Sequence, residues 1–326
     1  MNGDQEQRAK VSLIFTIKNE ESTLEEFLSS LETQSRIPDE IIVVDGGSTD
    51  SSVELVERFS KSCRAPLRLI IERDANIPKG RNVAISNAKY NIIASTDAGC
   101  KLDTKWLENL ISPFEEDPSI QVVAGWFEPD ARSNFESVTA GLLFPRKDIV
   151  SRKSDKFLPS SRSIAFRKEC WERVRGYPEW LNTAEDSFFD LKLREAGYKF
   201  HFASKAVVFW RVRPNLKSLF KQYFRYRKGD ATAGLFFGRY WWPRVVGYAT
   251  ALLLIVLSFF SLEALLILVL GSFAYLEGRA FLTYTRTRLI SAILVVPVVV
   301  LTVDVAGFIG YLVGLISRNN SRKTSE

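Results

Sequence analysis

The sequence predicts an α/β fold: a mostly parallel, Rossmann-like sheet with helices on both faces, followed by a basic amphipathic segment and an apolar helical block. Three observations lead there. Short β-branched runs alternate with helical periodicities through the first hundred residues, the rhythm of strand–helix–strand units. Two of those runs end in an aspartate, at the strand ends where open α/β sheets bind ligands. The charge of the 326-residue chain is also partitioned, its net +6 concealing an acidic stretch, a basic collar and a nearly uncharged block.

Taken in order, VSLIFTI at 11–17 is an apolar run bounded by Lys18–Asn19–Glu20–Glu21 and predicts a buried strand. Ser22 or Thr23 then caps a helix with Leu24, Phe27, Leu28 and Leu31 on one face. EIIVV at 40–44 predicts a second buried strand, running into Asp45–Gly46–Gly47–Ser48–Thr49–Asp50. A second helix carries Val53, Leu55, Val56 and Phe59, and Leu67–Ile71 forms a third strand. Residues 83–90 predict a helix, and Asn91–Ser95 a strand ending at Thr96–Asp97–Ala98–Gly99. Beyond residue 113 the pattern is mixed, with a strand at Val122–Gly125 and a helix at Ser187–Ala196 closing on Gly197.

Residues 1–204 hold 28 Lys/Arg against 33 Asp/Glu, whereas 205–244 hold ten basic residues and one acid, Asp230. Because this collar adjoins an apolar block, its expected partner is anionic headgroups and not nucleic acid, and it marks the cytoplasmic side. Within it, residues 215–228 set Leu216, Leu219, Phe220, Tyr223 and Phe224 on one helical face, which either lies at a membrane surface or packs on the soluble domain. As one helix Val245–Leu276 would be about 48 Å long at ~1.5 Å per residue, too long for a bilayer core of about 30 Å. A hairpin turning near Ser261–Glu263 fits better. Leu289–Ile316 is a third apolar stretch, interrupted by Pro297 and Asp304. Three full spans would set the basic tail opposite the collar, so this stretch is either re-entrant or an exception to the positive-inside tendency. Asp304 is expected to face protein, since a carboxylate in lipid is costly. The expected organisation is a soluble domain over 1–210, basic interface helices over 211–244, a transmembrane region over 245–316 (hairpin 245–276, third segment 289–316) and a polar tail over 317–326.

Several chemistries are disfavoured. The single histidine, His201, makes a His-dependent triad or a two-His zinc site hard to build. Cys63, Cys100 and Cys170 have no metal-ligand spacing and read as free thiols in a reducing compartment. The polar start, Met1 to Lys10, does not read as a cleavable signal peptide.

The acids at strand ends carry two readings each. Asp45 precedes two glycines that let a ligand approach the backbone, yet Gly-Ser-Thr-Asp is also good turn and capping chemistry. Asp97 likewise serves either a ligand or a turn. Glu185 and Asp186 either supply a catalytic carboxylate or simply favour the N-terminus of the helix they precede.

Together the segments resemble a family. SLIFTIKNEE, IIVVDGGSTD, KGRNVAISNA, IIASTDAGC and AEDSFFDLKLREAGYKF, in that order over roughly residues 11–210, look like family 2 glycosyltransferases. The resemblance implies a GT-A fold, a nucleotide-diphosphate sugar donor and inversion at the anomeric carbon. It implies that Thr16, Lys18, Asp45 and Arg81 contact the nucleotide, and that Asp97, matching the first acid of the D-x-D motif, lies near ribose, diphosphate and a divalent metal, Mg or Mn. Here the chain departs, because Gly99 stands where the second acid usually holds the metal. Two carboxylates suit a hard cation that bridges phosphates; with one, the ion needs water, diphosphate or another group such as Asp103.

The resemblance further matches Asp186 to the base that takes the acceptor hydroxyl proton, with Glu185 binding the acceptor. Arg162, in Pro159–Ser160–Ser161–Arg162–Ser163, lies where the family presents the donor sugar. Gln222, Arg225 and Tyr226 match the Q-x-x-R-W motif of processive members with tyrosine for tryptophan. They either keep a stacking and diphosphate role or belong to an interfacial helix. The implied protein is a membrane-associated hexosyltransferase, its catalytic domain cytoplasmic. Its partners are a UDP- or GDP-linked donor, a lipid-linked or glycan acceptor, and membrane lipid. Rival readings are a polyprenyl-phosphate sugar synthase and a non-catalytic nucleotide-sugar-binding subunit.

Overall fold

The structure, a computed structural model, describes residues 8–152, 157–235 and 242–323. They divide into two compact units, Met1–Asp130 with Pro145–Arg211, and Ala131–Phe144 with Val212–Glu326.

The first unit is built on an eight-stranded mixed sheet. Its elements are β1 (Val11–Ile17), α1 (Glu21–Glu32), β2 (Glu40–Asp45), α2 (Ser52–Ser60), β3 (Leu67–Ile71), α3 (Ile77–Ser86), β4 (Ile92–Ser95), β5 (Cys100–Leu102), α4 (Trp106–Glu116) and β6 (Val122–Asp130). After α5 (Asn134–Leu143) come α6 (Lys147–Ser151), β7 (Ile164–Arg167), α7 (Lys168–Arg173), α8 (Glu185–Glu195) and β8 (Phe200–Arg211). The strand order is β3-β2-β1-β4-β7-β6-β8-β5. The β3-β2-β1-β4 half is parallel, Ile17 opposite Asp45 and Ile14 opposite Ser95, whereas β7 runs antiparallel to both neighbours and β5 to β8. β6 and β8 are parallel. Strands buried on both faces need continuous apolar sequence, which is why β1 and β2 read as unbroken runs.

Three local expectations are corrected. No side chain caps α1; it starts at Glu21, and Thr23 Oγ1 instead reaches Glu20. The helix expected at 83–90 is α3, six residues earlier. Asn76 Oδ1 caps it by accepting the Lys79 N–H at 3.1 Å, and Pro78 occupies its first turn, where no N–H is missed. Gly80 inside it is no breaker: a Cβ there would sit 2.8 Å from Thr16 Cγ2, so glycine lets helix and strand close up. The strand expected to end at Gly125 continues to Asp130. A Cβ at Gly125 would fall 1.9 Å from Ser163 Oγ, which itself accepts Trp106 Nε1 at 2.9 Å.

The second unit joins α5 to α9 (Leu216–Ala233), α10 (Trp242–Leu257), α11 (Leu262–Thr287) and α12 (Ala292–Lys323). Residues 131–144, inside the stretch read as the soluble domain, thus group with the C-terminal helices. Val138 packs into a cluster with Ala280, Ala292, Val296 and Val300, and Arg286 donates to Gly141 O at 2.9 Å. The hairpin turn lies where expected, Ser261 Oγ capping α11 at Ala264 N, but α11 runs on to Thr287. α12 continues as helix through Pro297 and past Ile316. Asp304 is buried and accepts from Arg244 Nε at 3.0 Å and Tyr248 OH at 2.8 Å, the protein partners its cost in lipid demands. α11 and α12 are each long and apolar enough to cross a membrane, whereas α10 is shorter.

Candidate active site

The register of β1 and β2 sets the carboxyl-terminal end of the parallel half. β1 and β2 end together, which brings Thr16, Lys18 and Asp45 to one edge. Asp45 is buried, and its carboxylate closes its own turn, accepting Gly47 N at 2.9 Å, Ser48 N at 3.0 Å and Ser48 Oγ at 2.5 Å. Gly47 holds φ +87, a conformation glycine adopts without strain. A Cβ at Gly46 would meet Ala75 O at 2.7 Å and Lys18 Cδ at 3.3 Å, so the loop is tightly backed.

One buried arginine joins segments far apart in sequence. Arg81, on α3, donates to Asp97 Oδ1 at 2.7 Å and to Glu185 Oε1 at 2.8 Å. Asp97 follows β4, and Glu185 opens α8 after Ala184 turns the chain at φ 65. Burial alone would lower the Arg81 pKa, but Asp97 and then Glu185 more than offset it, so the guanidinium is held above its ordinary value. Burial, and then the adjacent Asp186, push the Glu185 carboxyl up against the pull of Arg81. Asp186, in the first helical turn, accepts the Ser187 N–H at 2.7 Å, as its helix-start reading expects.

Arg162 joins this group from the segment before β7. Its Nε lies 3.9 Å from Asp97 Oδ2, and its guanidinium is 3.9 Å from the Trp210 ring and 5.1 Å from Phe127. Beneath lies a floor that sequence reading missed. Tyr177 stacks on Phe189 at 4.0 Å, bonds Ser161 Oγ at 2.8 Å and has Arg81 5.4 Å from its ring. Asp190 is fully buried, its Oδ2 accepting Ser160 N at 3.3 Å and its Oδ1 unpartnered, and burial followed by Asp186 raises its pKa well above the usual carboxylate value. Only the i, i+4 spacing of Asp186 and Asp190 on α8 hinted at their shared face.

Gln222, Arg225 and Tyr226 lie on α9 of the second unit, where Gln222 Nε2 donates to Tyr226 OH at 3.0 Å. Asp103 takes the Lys105 N–H at 3.0 Å, the work of a turn residue. Among the described residues no group of three or more His, Cys, Asp or Glu could hold a metal ion. Gly99 contributes no donor, and Asp97 faces two guanidiniums, so the side chains present do not fit a protein-built cation site.

Comparison with known proteins agrees with this arrangement. The chain matches the Glycosyl transferase family 2 model over residues 12–173 and the Glycosyl transferase family group 2 model over 97–305. It is 30% identical to the O-antigen chain rhamnosyltransferase RfbN of Salmonella typhimurium over 226 residues, 66% of this chain and 70% of the relative. It is 26% identical to the glycosyltransferase AglE of Haloferax volcanii over 68% of this chain and 72% of that one. The mannosyltransferase PcManGT of Pyrobaculum calidifontis, solved with GDP-Man and Mn2+, superposes with a TM-score of 0.65 at 19% identity, covering 92% of this chain and 87% of its own. With the sheet order, the strand-end acids and both family models in accord, the chain has the GT-A fold and belongs to glycosyl transferase family 2.

Proposed function

We propose that this glycosyltransferase moves a hexose-type sugar, with inversion, from a UDP- or GDP-linked donor to a hydroxyl of a lipid-linked or glycan acceptor at the membrane, with the first unit cytoplasmic. The observation that carries the reading is the Arg81 junction. It ties the acid after β4 to the start of α8, so that a donor held at Asp97 and a base on α8 belong to one rigid assembly. Thr16, Lys18 and Asp45 hold the nucleotide, and Arg81 fixes Asp97. Asp186 accepts the acceptor hydroxyl proton as that oxygen attacks the anomeric carbon. The bond from that carbon to the diphosphate oxygen breaks and nucleoside diphosphate leaves. Glu185 and Arg162 line the acceptor and diphosphate side. Similarity to an O-antigen rhamnosyltransferase supports a glycan or lipid-linked acceptor in envelope biosynthesis. No step in this reading runs through a metal, given the donor set around Asp97.

The test is nucleotide release by the full chain in lipid extract, scanned over UDP-, GDP- and dTDP-sugars beside Asp186→Asn. Release from one donor, reduced about 10²- to 10⁴-fold in the variant with nucleotide binding kept, is the expected outcome. Binding without release from any donor would favour a non-catalytic subunit.

A further inference from the structure

Transfer from a nucleotide-diphosphate sugar leaves negative charge on the departing diphosphate, and something must face it. A hard divalent cation does so only where several oxygen ligands converge. Among the described residues no group of three or more His, Cys, Asp or Glu converges to hold one. A Cβ at Gly99 would meet nothing within 4 Å, so among the described residues a side chain has room to start there. Asp97 itself is engaged on both oxygens by cationic side chains, Arg81 at 2.7 Å and Arg162 at 3.9 Å.

Arg162 is also braced. It is 12% exposed and lies against Trp210 at 3.9 Å and Phe127 at 5.1 Å, contacts that fix a guanidinium plane and are worth most where water is thin. Arginine suits this duty: its fork presents fixed donors that match phosphate oxygens, and it stays charged at any working pH.

We propose that Arg162, with Arg81 buttressing Asp97, supplies the countercharge for the donor diphosphate, so that this chain binds and uses its nucleotide sugar without a divalent cation. The inference rests on the transferase reading above and adds to it a cation built from protein. In the step the anomeric carbon–oxygen bond breaks, its electron pair stays on the diphosphate, and Arg162 donates hydrogen bonds to the oxygens that gain charge.

The test uses the detergent-purified full chain and calorimetric binding of UDP, GDP and dTDP, with chelator or with Mn2+. Binding of one nucleotide is expected to change less than about twofold between the two media. Arg162→Gln should weaken it about tenfold or more, the scale of a lost charge-assisted bond, with Arg162→Lys between. Gly99→Asp, on an open position, should create Mn2+ binding readable by electron paramagnetic resonance and absent from the parent. Nucleotide binding that appears only with Mn2+, or Mn2+ bound equally by the parent and Gly99→Asp, would overturn the inference while leaving a transferase. Failure of all three nucleotides in both media would overturn both readings.

Discussion

Asp190 concentrates the cost of building this site from charged residues. It is fully buried on α8 with one oxygen unpartnered, and burial, then Asp186, raise its pKa against the pull of Arg194 and Arg81. Because its folded pKa is raised above the unfolded one, the proton it binds on folding stabilises the protein at low pH. That contribution is complete below the unfolded value and is lost as pH rises through the raised folded value. Asp190→Asn keeps the acceptor for Ser160 N and removes the titration. The difference in melting temperature between Asp190→Asn and the parent should therefore grow as pH rises from about 4 toward neutrality, in favour of the variant. Melts across that range check it, and a difference that does not vary with pH would mean the carboxyl does not titrate there. Asp97, Arg81, Glu185 and Asp186 were legible individually because each lies in a recognisable segment. Their meeting was not, since Arg81 and Glu185 are separated by 104 positions and no local signal encodes the pairing. Arg162 was legible through the family resemblance as a donor-side residue, but its aromatic bed, Phe127 and Trp210, arrives on strands β6 and β8, whose lengths the sequence pattern did not give.

At the scale of elements, periodicity found β1, β2 and β4, where apolar runs are continuous, together with β3 and helices α1, α2 and α8, and gave no reading of β5, α4, β7 or α7. α3 was placed late because cap chemistry, Asn76 followed by Pro78, begins it before the apolar period does. β6 was cut short at Gly125, inside the apolar run Val122–Phe127, and β8 was missed because only three of its twelve positions are buried. Glycine misled at Gly125, which answers a close approach and not a strand end, as Gly80 does inside α3. The same logic operates unseen in α12. Gly310 and Gly314, four residues apart, sit where a Cβ would fall 2.3 Å from Phe224 O and 2.4 Å from Lys228 O, which lets α9 lie directly along α12. Gly314→Leu cannot be absorbed by a side-chain shift, because the obstacle is backbone. It should destabilise the helical unit by about 1–3 kcal/mol, seen as a lower melting temperature in detergent. Gly271→Leu, where a Cβ meets nothing within 4 Å, is the control and should change little. Equal effects at the two positions would mean that the α9–α12 contact is not what Gly314 serves.

At the scale of the whole molecule, two forces are available for holding the chain to a bilayer, and they differ in their response to salt. The collar offers ten basic residues between 205 and 244, whose attraction to anionic headgroups is screened within about 3 Å at 1 M salt. The helices offer apolar area: Phe259 and Phe260 at the α10–α11 turn are 80% and 85% exposed, Leu294 is 78% exposed, and the apolar window of α11 is 6% buried by the chain itself. Exposed apolar surface this continuous is not sustained in water and needs lipid or protein to cover it. Burial of apolar area is insensitive to screening, so the two contributions separate in one experiment. The full chain mixed with liposomes should float with them on a density gradient, and flotation should persist in about 1 M salt and after alkaline carbonate washing. Replacing anionic with neutral lipid should slow association at low salt without abolishing it, since the collar steers while the helices hold. Release at high salt would instead assign the attachment to the collar and leave the exposed face of α11 to be covered by a protein partner.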